Sequence, residues 1–286
     1  MPQPGETILG GTFFMNTGGK GANQAVAAAR LGGSVLFIAK TGYDIFGKQA
    51  IEVFKKEGID ASYIIKDKQQ PSGVALITVD DNGENCIVVA PGANATLTPE
   101  NINEIKEKIE NASLVLMQLE TPVETVEYVA AIALSKGVKF ILNPAPAAKL
   151  NDELLKKISI ITPNQKEAEM LTGIKVSDES SAKQAAIFLN RKGIGTVIIT
   201  MGASGAFVLH GNWHSMIHGH KVKVADTTAA GDVFNGALVV ALSEGQNIED
   251  AVTFACKAAA ISVTRLGAQA SAPHRKEVEN FDLANT

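Results

Sequence analysis

Between residues 98 and 200 the sequence alternates between helix-length segments and short apolar runs. Helix 98–111 precedes strand 113–119, helix 122–136 precedes strand 138–142, segment 152–158 precedes strand 159–162, and helix 178–193 precedes strand 196–200. Strands joined through helices pair in parallel, because a crossover of that length returns the chain to the same end of the sheet. Several of these runs are apolar at successive positions, which suits a strand buried on both faces. The pattern predicts an α/β fold: a doubly wound, mostly parallel sheet with helices on both faces. Ligands of such sheets bind beyond the carboxyl ends of the strands. Glu120, Asn143 and Asn164 fall at three of those ends. Strand ends are polar in any case, so position alone does not make them a site.

Upstream the order changes. A buried strand at 34–41 and an amphipathic helix at 44–57 closed by Gly58 are followed by strand-like segments at 63–66, 73–79 and 85–90, with no helix between them. The turn Asp80-Asp-Asn-Gly83 separates the last two. Successive strands inside an alternating chain predict a small antiparallel sheet set apart from the main one, joined by the Gly-, Pro- and Thr-rich residues 1–17. The expected organisation is a discontinuous β lid (1–17 and 62–92) on an α/β core (18–61 and 93–286). Strands at 6–16 and 72–90 would leave a large apolar face in water, so a homodimer formed lid to lid is expected. The chain closes with helices at 231–244, 248–264 and 275–283.

With 26 Lys and Arg against 30 Asp and Glu, the net charge is −4, which argues against nucleic acid as a partner. A small anionic substrate then needs a local site. Cys86 and Cys256 are the only cysteines of 286 residues, so no disulfide framework is expected and a reducing cytoplasm fits. No signal-like start and no apolar run of membrane-spanning length are present, so neither export nor a membrane partner is expected. His210, His214, His218 and His220 surround Trp213 with no zinc-like spacing and read as hairpin residues.

Two stretches carry candidate chemistry. In Asp226-Thr-Thr-Ala-Ala-Gly-Asp232-Val-Phe-Asn-Gly-Ala237, a strand-like run at 220–225 leads through small residues into a helix. The N–H groups of Ala229, Ala230 and Gly231 would be unpaired there, an anion site strengthened by the helix dipole. Asp232 at its rim is placed to take a proton from an attacking hydroxyl. A tight turn followed by an acidic first helical turn has the same local signature. In Gly18-Gly-Lys-Gly-Ala-Asn-Gln24, Lys20 and Asn23 lie one helical turn apart and suit a polyol, while a helix start with glycines for close packing is the alternative. Asn164 and Glu167 have capping-box spacing. The loop 200–205 reads equally as a hairpin turn.

These stretches together resemble the two signatures of the ribokinase (PfkB-type) carbohydrate kinases. The likeness extends through Met117-Gln-Leu-Glu120-Thr-Pro, Asn143-Pro-Ala-Pro146, Thr162-Pro-Asn164-Gln-Lys-Glu167-Ala-Glu and Thr264-Arg-Leu-Gly267-Ala-Gln-Ala-Ser271, in one order along nearly the whole chain. It implies ATP-dependent phosphorylation of the primary hydroxyl of D-ribose to ribose 5-phosphate. Deoxyribose, fructose or a nucleoside is the alternative substrate, and a catalytically weak sugar- or nucleotide-binding protein the alternative of another class. By the resemblance Asp232 is the base and Ala229, Ala230 and Gly231 the anion hole. The sugar is contacted by Gly19, Lys20, Gly21, Ala22, Asn23, Glu120 and Asp232. ATP lies against Asn164, Thr200, Met201, Gly202, Ala203, Ser204, Gly205, Gly231, Asp232 and Cys256. Glu167 holds Mg²⁺ through water. A monovalent cation, K⁺, is held mostly by backbone carbonyls around Asp226, Thr228, Ser262, Arg265, Gly267 and Ser271. The family's first strand and its Asn-x-Asp turn, whose Asp binds sugar hydroxyls, have no counterpart here, and no Asp precedes Asp44. The expectation is a reading frame that continues upstream of Met1 into that strand, with the 286-residue form poorly stable and nearly inactive.

Overall fold

A computed structural model describes residues 5–7, 9, 11–13, 15–79 and 85–281. Element order is α1 (Lys20–Arg30), β1 (Ala39–Gly42), α2 (Ile45–Lys56), β2 (Ile64–Asp67), β3 (Val74–Val79), β4 (Asn85–Ala90), α3 (Pro99–Asn103), α4 (Lys106–Glu110), β5 (Leu114–Met117), α5 (Val123–Ser135), β6 (Lys139–Leu142), α6 (Asp152–Leu155), β7 (Ile160–Ile161), α7 (Gln165–Thr172), α8 (Glu179–Arg191), β8 (Thr196–Thr200), β9 (Gly205–His210), β10 (Trp213–His218), α9 (Ala230–Ser243), α10 (Ile248–Ser262) and α11 (Arg275–Glu279).

The main sheet has six strands in the order β10-β9-β8-β7-β6-β5. Strands β5 to β8 are parallel, and β9 and β10 close one side as an antiparallel hairpin. Side chains alternate across it, as a pleat requires. Phe140, Leu142, Val197 and Ile199 join the core that includes α5 and α8, while Ile141, Ile160 and Ile198 join the core built with α1, α9 and α10. Both faces are covered, and the doubly wound α/β expectation holds.

Helices α1 and α9 approach so closely that a Cβ on Gly236 would lie 2.7 Å from the Cβ of Ala27 and 2.8 Å from the carbonyl oxygen of Gln24. Only glycine permits this contact. It brings the first two turns of α1 against the first turn of α9, where the candidate site lies.

Several expectations need correction. Helix 98–111 is two short helices, broken where Ile105 leaves helical dihedrals (φ −123°). The break lets Ile105 pack on the core beside the buried Ile102 and Ile109. Strand 34–41 reduces to β1 and a single bridge from Leu36 to Asp60. Strand β2, expected in the lid, pairs in parallel with β1 and not with β3 or β4. Strands β3 and β4, within the expected lid, form a separate antiparallel ribbon. Among the described residues of 1–17 there is no strand, and residues 8, 10 and 14 lie outside them, as does the turn at 80–83. The run 220–225 does not pair as a strand: the N–H groups of Ala225 and Asp226 instead donate to the carbonyl of Val263, at 2.7 and 3.2 Å. The last helix stops at Glu279, and residue 283 lies outside the described chain.

Among the described residues, β1 and β2 form their own two-stranded sheet, and β5 pairs only with β6. All four residues of β5 are half-buried, in contrast to the buried residues 140–142 of β6. Gly21 of α1 reaches both sides of this division, lying against Phe37 just before β1 and Gln118 just after β5. Among the described residues no helix is long and apolar enough to cross a membrane.

Candidate active site

The site forms where α1, the carboxyl ends of β5 to β8 and the N-terminus of α9 converge. It is a cavity of about 180 Å³, lined among others by Lys20, Asn164, Glu167, Thr200, Ala229, Ala230, Gly231 and Asp232. Most of the residues singled out from two stretches 200 positions apart in sequence are therefore neighbours.

The turn into α9 is strained. Ala229 adopts φ 60° and ψ 10°, the left-handed region, which a side chain with a Cβ enters at a cost of about 1–2 kcal/mol. The turn is held from behind by Asp226, whose carboxylate accepts from the N–H of Thr228 at 2.8 Å and of Gly267 at 2.9 Å. Burial alone would raise the Asp226 carboxyl, but these hydrogen bonds outweigh it and keep it below the ordinary range. Of the three amides expected to be free, that of Ala230 makes a long bond of 3.3 Å to the carbonyl of Thr227. This is a correction: the chain folds back on itself at the turn and uses that donor. Among the described residues the N–H groups of Ala229 and Gly231 have no backbone acceptor.

Asp232 follows in the first turn of α9 and is 6% exposed. Its Oδ2 accepts from Asn23 Nδ2 at 2.9 Å and its Oδ1 from Gln24 Nε2 at 3.0 Å. Burial pushes its carboxyl up; the two amides and the charge of Lys20 oppose burial without cancelling it. A raised carboxyl suits a group that must accept a proton.

Glu120, just beyond β5, accepts from the Lys20 N–H at 2.8 Å. Its carboxylate lies at the N-terminus of α1, where Gly19 (φ 94°) supplies no side-chain cap. Burial raises its carboxyl as well, Lys20 lowers it, and Asp232 adds to the rise. Asn23 keeps its Oδ1 buried without a partner, the acceptor end of a side chain whose donor end is engaged by Asp232.

Asn164 and Glu167 do form the capping box of α7: Glu167 N–H donates to Asn164 Oδ1 at 2.9 Å and Asn164 N–H to Glu167 Oε2 at 2.8 Å. Capping does not remove Glu167 from the cavity, where burial raises its carboxyl while Asn164 and Lys20 lower it. A bridge from Asn164 to Thr200 joins the ends of β7 and β8. In the loop beyond, Gly202–Ser204 make a 3-10 turn and the Met201 N–H donates to the Gly205 carbonyl at 2.8 Å. Thr200 reaches the cavity; Met201 is buried, and Gly202, Ala203 and Ser204 are exposed beyond it. Cys256 is buried in α10 within the apolar core, its thiol pushed up to about 12 by burial, and does not line the cavity.

Asp226, Thr228 and Gly267 are joined directly. The Ser262 and Ser271 hydroxyls donate to the carbonyls of Ala259 and Ala268, each at 2.8 Å, and Arg265 pairs with Glu277. The side chains of these last three residues are thus engaged elsewhere, and a cation at this place would draw on the Asp226 carboxylate and on carbonyl oxygens. Gly21 and Ala22 serve in α1 beside Phe37 and its neighbours rather than lining the cavity.

Apart from Asn143, named above as a strand end, the sequence reading assigned no role to a chain of buried and half-buried amides at the site. Gln118 Nε2 donates to Gln24 Oε1; Gln24 Nε2 also donates to Asn143 Oδ1 at 3.1 Å; Asn143 Nδ2 donates to the Thr162 carbonyl at 3.0 Å. Thr162 Oγ1 then meets Asn235 Oδ1 at 2.6 Å, and Asn235 Nδ2 donates to the Gly231 carbonyl at 2.7 Å. The signal was available: Gln24, Gln118, Asn143 and Asn235 are polar residues inside otherwise apolar or glycine-rich motifs.

A model of the pfkB family of carbohydrate kinases matches residues 2–275. A ribokinase of Haemophilus influenzae is 50% identical over 279 residues, 98% of this chain and 91% of that one. A deoxyribokinase of Salmonella typhi is 37% identical over 283 residues, 99% and 92% of the two chains. Among solved structures, Arabidopsis thaliana ribokinase complexed with ribose and ATP superposes with a TM-score of 0.93 at 32% identity, covering 99% of this chain and 93% of that one. Thermotoga maritima ribokinase does so with a TM-score of 0.89 at 40% identity, covering 100% and 93%.

Proposed function

The chain belongs to the pfkB family of carbohydrate kinases, and we propose that it transfers the γ-phosphoryl group of ATP to the primary hydroxyl of D-ribose, giving ribose 5-phosphate. One observation carries the chemistry: a buried carboxylate, Asp232, stands in the first turn of α9 next to the N–H of Gly231, which has no backbone acceptor among the described residues. A base and an electrophile-binding amide on adjacent residues let a hydroxyl lose its proton at the place where it meets the phosphorus.

In this reading Asp232 takes the hydroxyl proton as the hydroxyl oxygen forms its bond to the γ-phosphorus. The bond from that phosphorus to the bridging oxygen breaks, and ADP leaves with the electron pair. The N–H groups at 229–231 and the α9 dipole stabilise charge on the equatorial oxygens, Ala230 after exchanging its long bond to Thr227 for one to the phosphoryl group. Lys20, Asn23 and Glu120 orient the sugar: the unpartnered Oδ1 of Asn23 and the carboxylate of Glu120 accept from hydroxyls. Asn164, Thr200 and the loop at 201–205 serve the nucleotide, with Cys256 behind the adenine.

Glu167, a cavity carboxylate with one oxygen engaged by an amide, suits a cation that retains most of its water, so Mg²⁺ held through water fits. When bound it would neutralise charge on the β- and γ-phosphates. The Asp226 carboxylate, held by the N–H groups of Thr228 and Gly267, is the side-chain oxygen donor that would hold K⁺ behind the turn at 227–231, the remaining ligands coming from the main chain.

The lid supports a homodimer. Leu76, Ile77, Val88 and Val89 are 67%, 55%, 61% and 59% exposed, and a two-stranded ribbon is marginal in water on its own. Side chains alternate across the ribbon, and a second copy would cover the face that carries Leu76 and Val88, which lie opposite each other across β3 and β4. The free thiols Cys86 and Cys256 suit the cytoplasm. The substrate is tested by ADP release with ribose, deoxyribose, fructose and a nucleoside: ribose should give the highest kcat/KM, and a higher value with any of the others would replace it as the substrate.

A further inference from the structure

Behind the cavity stands a residue that lines no wall of it but bonds directly to its buried carboxylate. Gln24 is 1% exposed and makes three side-chain hydrogen bonds: it accepts from Gln118 Nε2, and its own Nε2 donates to Asn143 Oδ1 and to Asp232 Oδ1. The orientation of each amide in this set is dictated by its neighbours. The Thr162 carbonyl can only accept, so Asn143 must present its NH₂ there and its oxygen to Gln24. A carboxylate likewise only accepts, so Gln24 must present its NH₂ to both Asp232 and Asn143 and its oxygen to Gln118. Reversing any one amide sets two donors or two acceptors against each other in a buried place, which is costly.

We propose that Gln24, locked by Gln118 and Asn143, is the positioning residue of the catalytic base: it fixes Oδ1 of Asp232 and leaves Oδ2 as the oxygen that takes the substrate proton. This rests on the kinase reading above for its consequence and on the hydrogen-bond geometry for its premise. The two oxygens of Asp232 have unlike partners. Oδ1 is held by an amide that is itself immobilised on two sides. Oδ2 is held by Asn23, whose Oδ1 is buried without a partner, so this amide is not locked at its other end as Gln24 is. A carboxylate pinned at one oxygen presents the other along a fixed line, which is the alignment an in-line transfer requires.

Four charged groups share this space: Lys20 of α1 faces Glu120 beyond β5, Glu167 of α7 and Asp232 itself. Lys20 favours the ionised Asp232 and the two other carboxylates oppose it. Burial raises the Asp232 carboxyl, and the hydrogen bonds from Asn23 and Gln24, with the charge of Lys20, offset part of that rise.

The experiment uses the full chain with Gln24→Met, close in volume, and Gln118→Met, which keeps Gln24 but frees its amide to turn. Asp232 is titrated by carboxyl ¹³C NMR without ligands, and kcat and KM for ribose are taken across pH with MgATP. Loss of a donor to the charged form raises a carboxyl, so both variants should titrate Asp232 at higher pH, by about one unit for Gln24→Met. The acidic limb of kcat should move up with it. The plateau kcat should fall about tenfold or more while KM for ribose stays within about threefold, since Gln24 is out of the substrate's reach. If Gln24→Met does not fold, Gln118→Met decides alone by the same readings, with a smaller shift. An unmoved Asp232 titration overturns the proposal whether or not the enzyme is active, and so does a raised KM at unchanged kcat. Absence of ADP release by the unsubstituted enzyme on every sugar, with the titration shifted as expected, would instead count against the kinase reading alone.

Discussion

Gly236 in α9 meets Ala27 in α1 at a distance that leaves no room for a methyl group: a Cβ on Gly236 would stand 2.7 Å from that of Ala27. One turn earlier on α9 is Asp232, and one turn earlier on α1 are Asn23 and Gln24, so this contact sets the spacing of the base from its two amide partners.

Gly236→Ala should therefore affect stability and rate together. Overpacking of this kind costs about 1–3 kcal/mol, and a shift of a few tenths of an ångström between the helices loosens both bonds to Asp232. Urea unfolding should show the loss, and kcat should fall while the protein stays folded. A stable variant with an unchanged kcat would show that the spacing is set elsewhere.

Glu120 is held above the ordinary carboxylate range chiefly by burial, and Glu167 and Asp232 likewise. The folded state then binds their protons more tightly than the unfolded chain does. Stability from this source is present at low pH and is lost as pH rises from the unfolded pKa through the folded one. Asp226 and Asp44, whose carboxyls are lowered, act in the opposite sense and at lower pH. Comparison with Glu120→Gln isolates one group. The melting temperature of the variant relative to the unsubstituted protein should rise as pH goes from about 4 to about 7. A difference that does not change with pH would mean that Glu120 titrates normally.

How much of this was legible in the sequence follows from what each residue answers to. The alternation from residue 98 and the two small-residue stretches answer to local periodicity; they carried the parallel sheet and placed α9 to within a residue at each end, while α1 was read as starting at Gln24, four residues after its observed start at Lys20. Asp232 beside Gly231, Lys20, and the Asn164–Glu167 box were readable because a short spacing carries the geometry. Pairing is not local, so β2 was read into the lid although it pairs in parallel with β1. The break at Ile105 came from core packing that overrides a continuous helical pattern. Gln24 and Gln118 were not assigned because a glutamine's role depends on partners 119, 208 and 94 positions away.

The exposed ribbon gives a prediction about assembly. Sedimentation should find two 30.0 kDa chains together at micromolar concentration. Leu76→Glu with Val88→Glu, a pair facing each other across β3 and β4, should yield a monomer. A monomeric unsubstituted protein would remove the lid-to-lid contact from the account.

The division of the sheet gives another. With β5 paired on one side only among the described residues, and its residues half-buried, alternate amides of Leu114–Met117 should exchange with solvent far faster than those of β6 and β8. Uniform protection across β5, β6 and β8 would show that β5 is not an edge in solution.

The most direct measurement is the rate of ribose-dependent ADP release by Asp232→Asn, an exchange that preserves shape while removing the base. General-base catalysis contributes about 10²–10⁴-fold, so kcat should fall by at least about a hundredfold while calorimetry still finds ribose and ATP bound. A variant that keeps kcat within about tenfold of the unsubstituted enzyme would contradict the assignment of Asp232 as the base.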